Sequence, residues 1–257
     1  MTDKPVILGA VIARDEEKHL ATCLDSLRWT DERIVLLDDR TTDGSAAAAR
    51  ELGVEVVPRK FTTFPNQRNA VLELAAERHP NSWLFFVDAD ERSSQGLAAE
   101  IRQVVVDSGE TTPVGYWVPR RNYIWGEWIR HGGWSPDYQM RLMRASKARF
   151  DAGRDVHELA ILNGTEGYLQ ERLVHYNYDR LDQFLVKQRY YCRLEAQRLR
   201  RAGIHAKPQN FVLQPLREFR RRYVDLEGYR DGWRGLTLSV LLAWYAGVTY
   251  VDLARAT

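Results

Sequence analysis

Within its first ninety residues the chain repeats one order: a short β-branched or aromatic run, a polar turn, then apolar residues at helical spacing. The strand-like runs are Val6 to Ala13, Ile34 to Leu37, Val54 to Val57 and Trp83 to Val87. Between them lie an amphipathic stretch through Leu20, Cys23, Leu24 and Leu27, an Ala-rich segment closed by Gly53, and a segment from Pro65 to Arg78. Strands that alternate with helices imply parallel pairing through right-handed crossovers. The fold class expected is therefore α/β, a mostly parallel sheet with helices on both faces. The loops that follow the strands then gather at one sheet edge, which is where open α/β sheets bind ligands. That edge collects Arg14 and Glu16, then Asp38 and Asp39, then Asp88 and Asp90.

The run Trp83-Leu84-Phe85-Phe86-Val87 ends on Asp88-Ala89-Asp90-Glu91. Residues at alternate positions of an extended backbone point the same way, so Asp88 and Asp90 offer paired hard oxygens suited to Mg²⁺ or Mn²⁺. An isolated Asp-x-Asp is a common surface turn. Acids after three strands of one parallel sheet are harder to explain without a nucleotide site. The usual dinucleotide and phosphate-loop signatures, Gly-x-Gly-x-x-Gly and Gly-x-x-x-x-Gly-Lys-Ser/Thr, do not follow the first strand. A haloacid-dehalogenase-type phosphatase would carry its paired Asp after strand one, and a sugar nucleotidylyltransferase would show a basic Gly-rich loop where this chain has Arg14-Asp15-Glu16.

Four blocks together resemble family 2 inverting glycosyltransferases with the GT-A fold. They are Val11-Ile12-Ala13-Arg14-Asp15-Glu16-Glu17, Val35 through Gly44, Gln67-Arg68-Asn69 and Val87-Asp88-Ala89-Asp90-Glu91. Pro136 through Arg144 and Val156-His157-Glu158 extend the resemblance, nearest to the lipopolysaccharide-type β-1,4-glucosyltransferase-like proteins. The resemblance covers roughly residues 5 to 200. Asp15 stands where the family usually has Asn, and Asp38-Asp39-Arg40 replaces the commoner acid-then-small sequence, which leaves base preference open.

The resemblance implies an inverting, metal-dependent transfer of a sugar from a nucleotide-sugar, a UDP-sugar first, to a saccharide or lipid-linked acceptor in envelope glycan synthesis. It implies that Asp90 coordinates the divalent cation, Mg²⁺ or Mn²⁺, and that Asp88 holds the ribose or shares the metal. Asp38, with Asp39 beside it, would take the uracil or ribose. Glu16 and the Ala13-Arg14 backbone would frame the nucleoside, Arg68 would touch base or phosphate, and Ala89 would line the donor. Each has a plainer reading as well, Asp38 capping a turn, Glu16 capping a helix and Arg68 a solvated helix residue. A nucleotidyl- or phosphotransferase on a similar sheet, or a catalytically idle GT-A-like scaffold that docks on membranes, are the alternatives.

The catalytic base is expected at Asp137, which follows the flexible Gly132-Gly133-Trp134-Ser135-Pro136 loop and precedes a strand; Glu158 is the rival. His157 reads as a third metal ligand, a phosphate contact or a core histidine. Residues 120–134 are dense in Trp, Tyr, Arg and Gly. Aromatic faces stack on sugars and arginines pair with phosphates, so Trp125, Trp128 and Trp134 are candidate acceptor contacts, against the alternative that the loop folds its aromatics into its own core.

After a catalytic domain of residues 1–178, residues 179–257 read as a helical extension. Arg217, Arg220, Arg221 and Arg222 interleave there with Leu216, Phe219 and Tyr223, and Gly235 to Val251 is an uncharged run of about 17 residues, the lower limit for crossing a bilayer. The reading favoured is a helix pair in the membrane interface, over helices packed on the catalytic domain or on another subunit; a homo-oligomer stays open. A net charge of +2 gives no case for nucleic acid. Met1 to Pro5 leads straight into a strand without the basic-then-apolar order of an export signal, and Cys23 and Cys192 sit far apart in helical segments. The location expected is the cytoplasm, peripheral at the inner membrane face, with reduced thiols.

Overall fold

The computed structural model describes residues 5–151 and 160–255. It divides into two compact units, residues 1–120 with 138–175 and residues 121–137 with 176–257.

The first unit opens with β1 (Ile7–Ala13), α1 (Glu17–Ser26), β2 (Glu32–Asp38), α2 (Ser45–Glu51), β3 (Glu55–Arg59), α3 (Phe64–Arg78), β4 (Trp83–Asp88), β5 (Glu91–Arg92) and α4 (Gln95–Val106). Strand β6 (Gly115–Ile124) carries the chain into the second unit, where β7 (Glu127–Trp128) lies. The chain returns with β8 (Tyr138–Arg144), β9 (Ala148–Phe150), β10 (Ala160–Leu162) and β11 (Glu166–Tyr168), and leaves again through β12 (Leu173–Tyr178). The sheet order is β3-β2-β1-β4-β8-β6. The first four strands are parallel, with Val11 opposite both Val35 and Val87, whereas β8 runs antiparallel to β4 and β6. This is the mixed, mostly parallel sheet with helices on both faces that the α/β reading requires.

Side chains alternate across a strand, so a strand buried on both faces feeds two cores. Ile7, Val11, Ala13, Val35, Leu37, Trp83, Phe85 and Val87 enter one core with the apolar stripes of α1 and α4. Leu8, Ala10, Ile34, Leu36, Leu84 and Phe86 enter the other with Val71, Leu72 and Ala75 of α3. Local chemistry starts the helices. The Thr63 hydroxyl accepts from the Asn66 amide (3.3 Å) ahead of α3, and the Ser94 hydroxyl accepts from the Leu97 amide (3.1 Å) ahead of α4.

The second unit begins where the sequence suggests a long loop. Strand β6 instead continues to Ile124 and turns back as β7, with Ile124 opposite Glu127 and Tyr123 opposite Trp128. Trp125 and Gly126 form the two-residue turn at φ 51° and 78°. Positive φ at both central residues matches the twist of a hairpin, and it is uncommon for a bulky residue such as Trp. The Trp125 ring stacks on Trp233 (5.9 Å, 6°) and meets Phe184 edge-on, and its amide donates to the Tyr178 carbonyl.

The rest of this unit is α5 (Leu181–Arg201), α6 (Asn210–Phe219) running into a wider helical turn over Arg220–Asp225, and α7 (Gly232–Arg255). Its core holds Ile124, Ile129, Tyr178, Phe184 and Leu238. Helix α7 packs on α5 through an Arg189–Asp252 ion pair (2.7 Å) and through the Cys192 thiol, which donates to the Tyr245 carbonyl. A Cβ on Gly247 would lie 3.1 Å from Pro215, so α6 and α7 approach closely there. Cys23 and Cys192 are both buried free thiols.

Candidate active site

The carboxyl ends of β1, β2 and β4 carry the expected polar cluster. After β1 the backbone turns at Asp15 with φ 51°, a left-handed conformation that Asp tolerates. The Asp15 carboxylate accepts from the Thr42 amide (2.8 Å), and Asp43 accepts from the amides of Glu17 (2.9 Å) and Ser45 (3.0 Å). Ser45 Oγ in turn accepts from the Glu16 amide (2.9 Å). These bonds tie the loop after β1 to the loop after β2.

Asp38 ends β2 almost fully buried, and Arg40 closes on it, Nε to Oδ1 at 3.0 Å and a terminal nitrogen to Oδ2 at 2.7 Å. The Arg40 guanidinium holds the Asp38 carboxyl well below the usual carboxylate range. Arg14 stands 3.9 Å from Asp38 and 3.4 Å from Asp15. Asp39 is exposed, while Ala13 and Ala89 are buried.

Asp88 is engaged by arginine. Both of its oxygens accept from Arg141, and Arg68 lies 3.9 Å away. Burial alone would raise the Asp88 pKa, but the charges of Arg141 and Arg68 hold it well below the ordinary range. Arg141 also donates to the fully buried Glu91 (2.7 Å), which receives Arg120 (3.3 Å) and accepts from the Asp88 amide (2.9 Å). Arg68 sits over the rings of Phe86 and Phe150 at 5.2 and 5.4 Å, on the first turns of α3. The neighbouring Asn69 exchanges both side-chain hydrogen bonds with the Phe150 backbone.

Asp90 has a different partner, for His175 Nε2 of β12 lies 3.5 Å from its Oδ2. His175 is buried, and β12 pairs antiparallel with β5, which sets it opposite Glu91. Among the described residues no three His, Cys, Asp or Glu side chains gather in metal-binding geometry. Asp90 and His175 are two donors, one hard oxygen and one imidazole nitrogen, a set that suits Mn²⁺ better than the oxygen-seeking Mg²⁺ when ligand oxygens complete the shell. Glu16 faces the same edge. Burial, followed by the charges of Asp90, Asp43 and Asp88, pushes its pKa up to about 7, with Arg92 opposing. Arg92 donates to the Ala89 carbonyl (2.7 Å) and the His19 carbonyl (3.0 Å), which fixes the Asp88–Asp90 turn against α1.

The sequence reading did not single out Arg40, Arg92, Arg120, Arg141, Glu91 or His175. Arg141 carried a signal, since a charge inside Met140-Arg141-Leu142-Met143, a strand buried on both faces, must be paired. The partnership of His175 with Asp90 joins segments 85 residues apart and had none.

The remaining candidates fall elsewhere. His157 and Glu158 lie outside the described residues. Asp137 is in the second unit, where its Oδ2 accepts from Asn122 Nδ2 at 2.9 Å. Asn122 donates also to the Trp134 carbonyl (2.9 Å). Trp125 and Trp134 pack against the second unit's core, Trp134 edge-on to Tyr178. The Trp128 ring carries the guanidinium groups of Arg130 (4.1 Å) and Arg121 (4.5 Å) over it.

Residues 10–154 match the family model described as glycosyl transferase family 2. The chain is similar, at 28% identity across 97% of its own length and 92% of the relative's, to the lipopolysaccharide core biosynthesis glycosyltransferase LpsC of Rhizobium meliloti (strain 1021). It is 24% identical over 41% of its length to an uncharacterized glycosyltransferase of Rickettsia typhi, of which it spans 35%. Among solved structures, S. aureus TarS 1-349 in complex with UDP aligns with a TM-score of 0.47 at 13% identity, over 97% of this chain and 89% of that one.

Proposed function

Because this chain belongs to glycosyltransferase family 2, we propose that it moves a sugar from a UDP-sugar to a saccharide or lipid-linked acceptor in lipopolysaccharide core synthesis, with inversion, at the cytoplasmic face of the membrane. Support for the envelope acceptor comes from the full-length similarity to LpsC. The observation that carries the donor reading is Asp90 set 3.5 Å from His175, next to Asp88 at the carboxyl end of β4 in the parallel part of the sheet.

In this reading Asp90 and His175 would hold a divalent cation, which when bound would supply positive charge at the leaving diphosphate. Asp38 and the Ala13-Arg14 backbone take the nucleoside, with Asp39 and Ala89 at its margin. Arg68 and Arg141, already at Asp88, orient that carboxylate for the ribose. The acceptor hydroxyl loses its proton to Asp137, a bond forms from its oxygen to the anomeric carbon, and the bond from that carbon to the diphosphate oxygen breaks. Asn122 supports this assignment because its amide holds the Asp137 carboxylate in one orientation. Trp128, faced by two guanidinium groups, is the acceptor contact we assign among the three tryptophans, since Trp125 and Trp134 pack into their own core.

The test is product analysis with a panel of UDP-sugars and Mn²⁺. Release of UDP is expected. Release of pyrophosphate from UTP and a sugar phosphate would transfer the site to nucleotidyl chemistry, and silence toward every donor would leave an idle scaffold.

A further inference from the structure

Helices α6 and α7 together expose a run of large apolar side chains. Helix α6 buries none of its residues, although Phe211, Val212, Leu213 and Leu216 are apolar and exposed. On α7, Trp233, Leu236, Val240 and Trp244 are 61, 42, 49 and 69% exposed. Their spacing of three and four places them on one helical face, and Val248, Val251 and Arg255 continue it. Beside that face runs a groove of about 710 Å³ lined by Phe211, Val212, Pro215, Trp244, Val248 and Val251. This volume lies in the range of about 300–1,000 Å³ usual for small-molecule sites. Arg255 and the Arg189–Asp252 pair also line it.

Charge identifies the occupant. Residues 179–257 hold 15 Lys and Arg against 8 Asp and Glu, a net +7, whereas residues 1–178 net −5. A positive segment that presents a tryptophan-bearing apolar stripe suits the boundary between anionic headgroups and acyl chains. Helix α7 with its preceding turn is long and apolar enough to cross a membrane, with 28% of its most apolar window buried. Spanning would strip Leu238 from the second unit's core and break the Arg189–Asp252 pair, so lying on the surface costs less.

We infer that the α6–α7 groove is a lipid site, which seats one acyl chain of an anionic bilayer lipid while the Trp233–Trp244 stripe lies in the headgroup boundary. The inference rests on the envelope-acceptor reading for its purpose and on the second unit alone for its geometry.

The experiment is flotation of the full chain with vesicles of phosphatidylglycerol and phosphatidylethanolamine, or of phosphatidylcholine alone, at low and high salt and without donor. Wild type should float with the anionic vesicles at low salt and several-fold less with phosphatidylcholine or high salt. The double variant Val240→Ser, Trp244→Ser, both positions exposed, should lower binding at least tenfold while keeping its unfolding midpoint and its UDP release on soluble acceptors. A spin label on the acyl chain should quench wild-type tryptophan fluorescence, and Trp244→Phe should remove part of that quenching. Equal flotation of wild type and double variant, no flotation of wild type, or a dimer sealed through this face that vesicles do not dissociate would each overturn the inference. Loss of UDP release in wild type with flotation intact would instead overturn the transfer reading alone.

Discussion

Arg141 is the residue on which the site's charges depend. It lies buried in β8 and serves both the fully buried Glu91 and Asp88. Removing one partner of a buried ion pair strands the other and costs about 3–5 kcal/mol. At ~2–4 °C per kcal/mol for a domain of this size, Arg141→Met should lower the unfolding midpoint by roughly 10 °C, as calorimetry would show. A midpoint within a degree or two of wild type would mean that Arg120 alone satisfies Glu91. Glu16 makes the second prediction at this scale. Its pKa rises from 4.5 to about 7 on folding, so the folded state binds its proton more tightly than the unfolded state. The stability this contributes is complete below pH 4.5 and is lost as pH rises through 7. Glu16→Gln should therefore unfold at a higher temperature than wild type at pH 8, with the gap closing near pH 4.5. A gap independent of pH would show that Glu16 does not titrate in this window.

At the scale of elements, β1, β2 and β4 were legible in the sequence because each is apolar on both faces and ends on polar residues. The β6–β7 hairpin was not. Its turn is Trp125-Gly126 instead of Asn-Gly, and the density of aromatics and arginines around it reads equally well as a binding loop. The structure shows where those side chains go. Trp125 and Trp134 build a core with Phe184 and Tyr178, and His131 Nδ1 sits 3.1 Å from Asp231. His157 and Glu158 are the part of the site reading that stays at the level of sequence, since they lie outside the described residues. The rivalry between Asp137 and Glu158 is thus a question for kinetics. Asp137→Asn should leave UDP-sugar binding nearly unchanged and lower kcat by several orders of magnitude, the mark of a group used only in the chemical step. If Glu158→Gln gives that result and Asp137→Asn does not, the base is Glu158.

For the whole molecule, the division into units joins residues 121–137 with the C-terminal helices. Asp231 accepts from the Arg130 and His131 amides, Arg222 donates to the Gly132 carbonyl (2.8 Å), and Leu238 completes the core around Ile124 and Ile129. A chain cut after Gly203 loses all three supports. It is expected to retain the first unit's fold and to expose the hairpin core, read as binding of a hydrophobic dye and loss of transfer; a truncated chain that transfers at the wild-type rate would separate the helices from catalysis. The central claim concerns the first unit, where Asp90 and His175 are proposed to hold the cation that receives the nucleoside diphosphate. Calorimetric titration of UDP, with and without Mn²⁺, into wild type and Asp90→Ala tests it most directly. Wild type should bind UDP much more tightly with Mn²⁺, and Asp90→Ala should lose that metal-dependent gain; a variant that keeps the full gain would contradict the account.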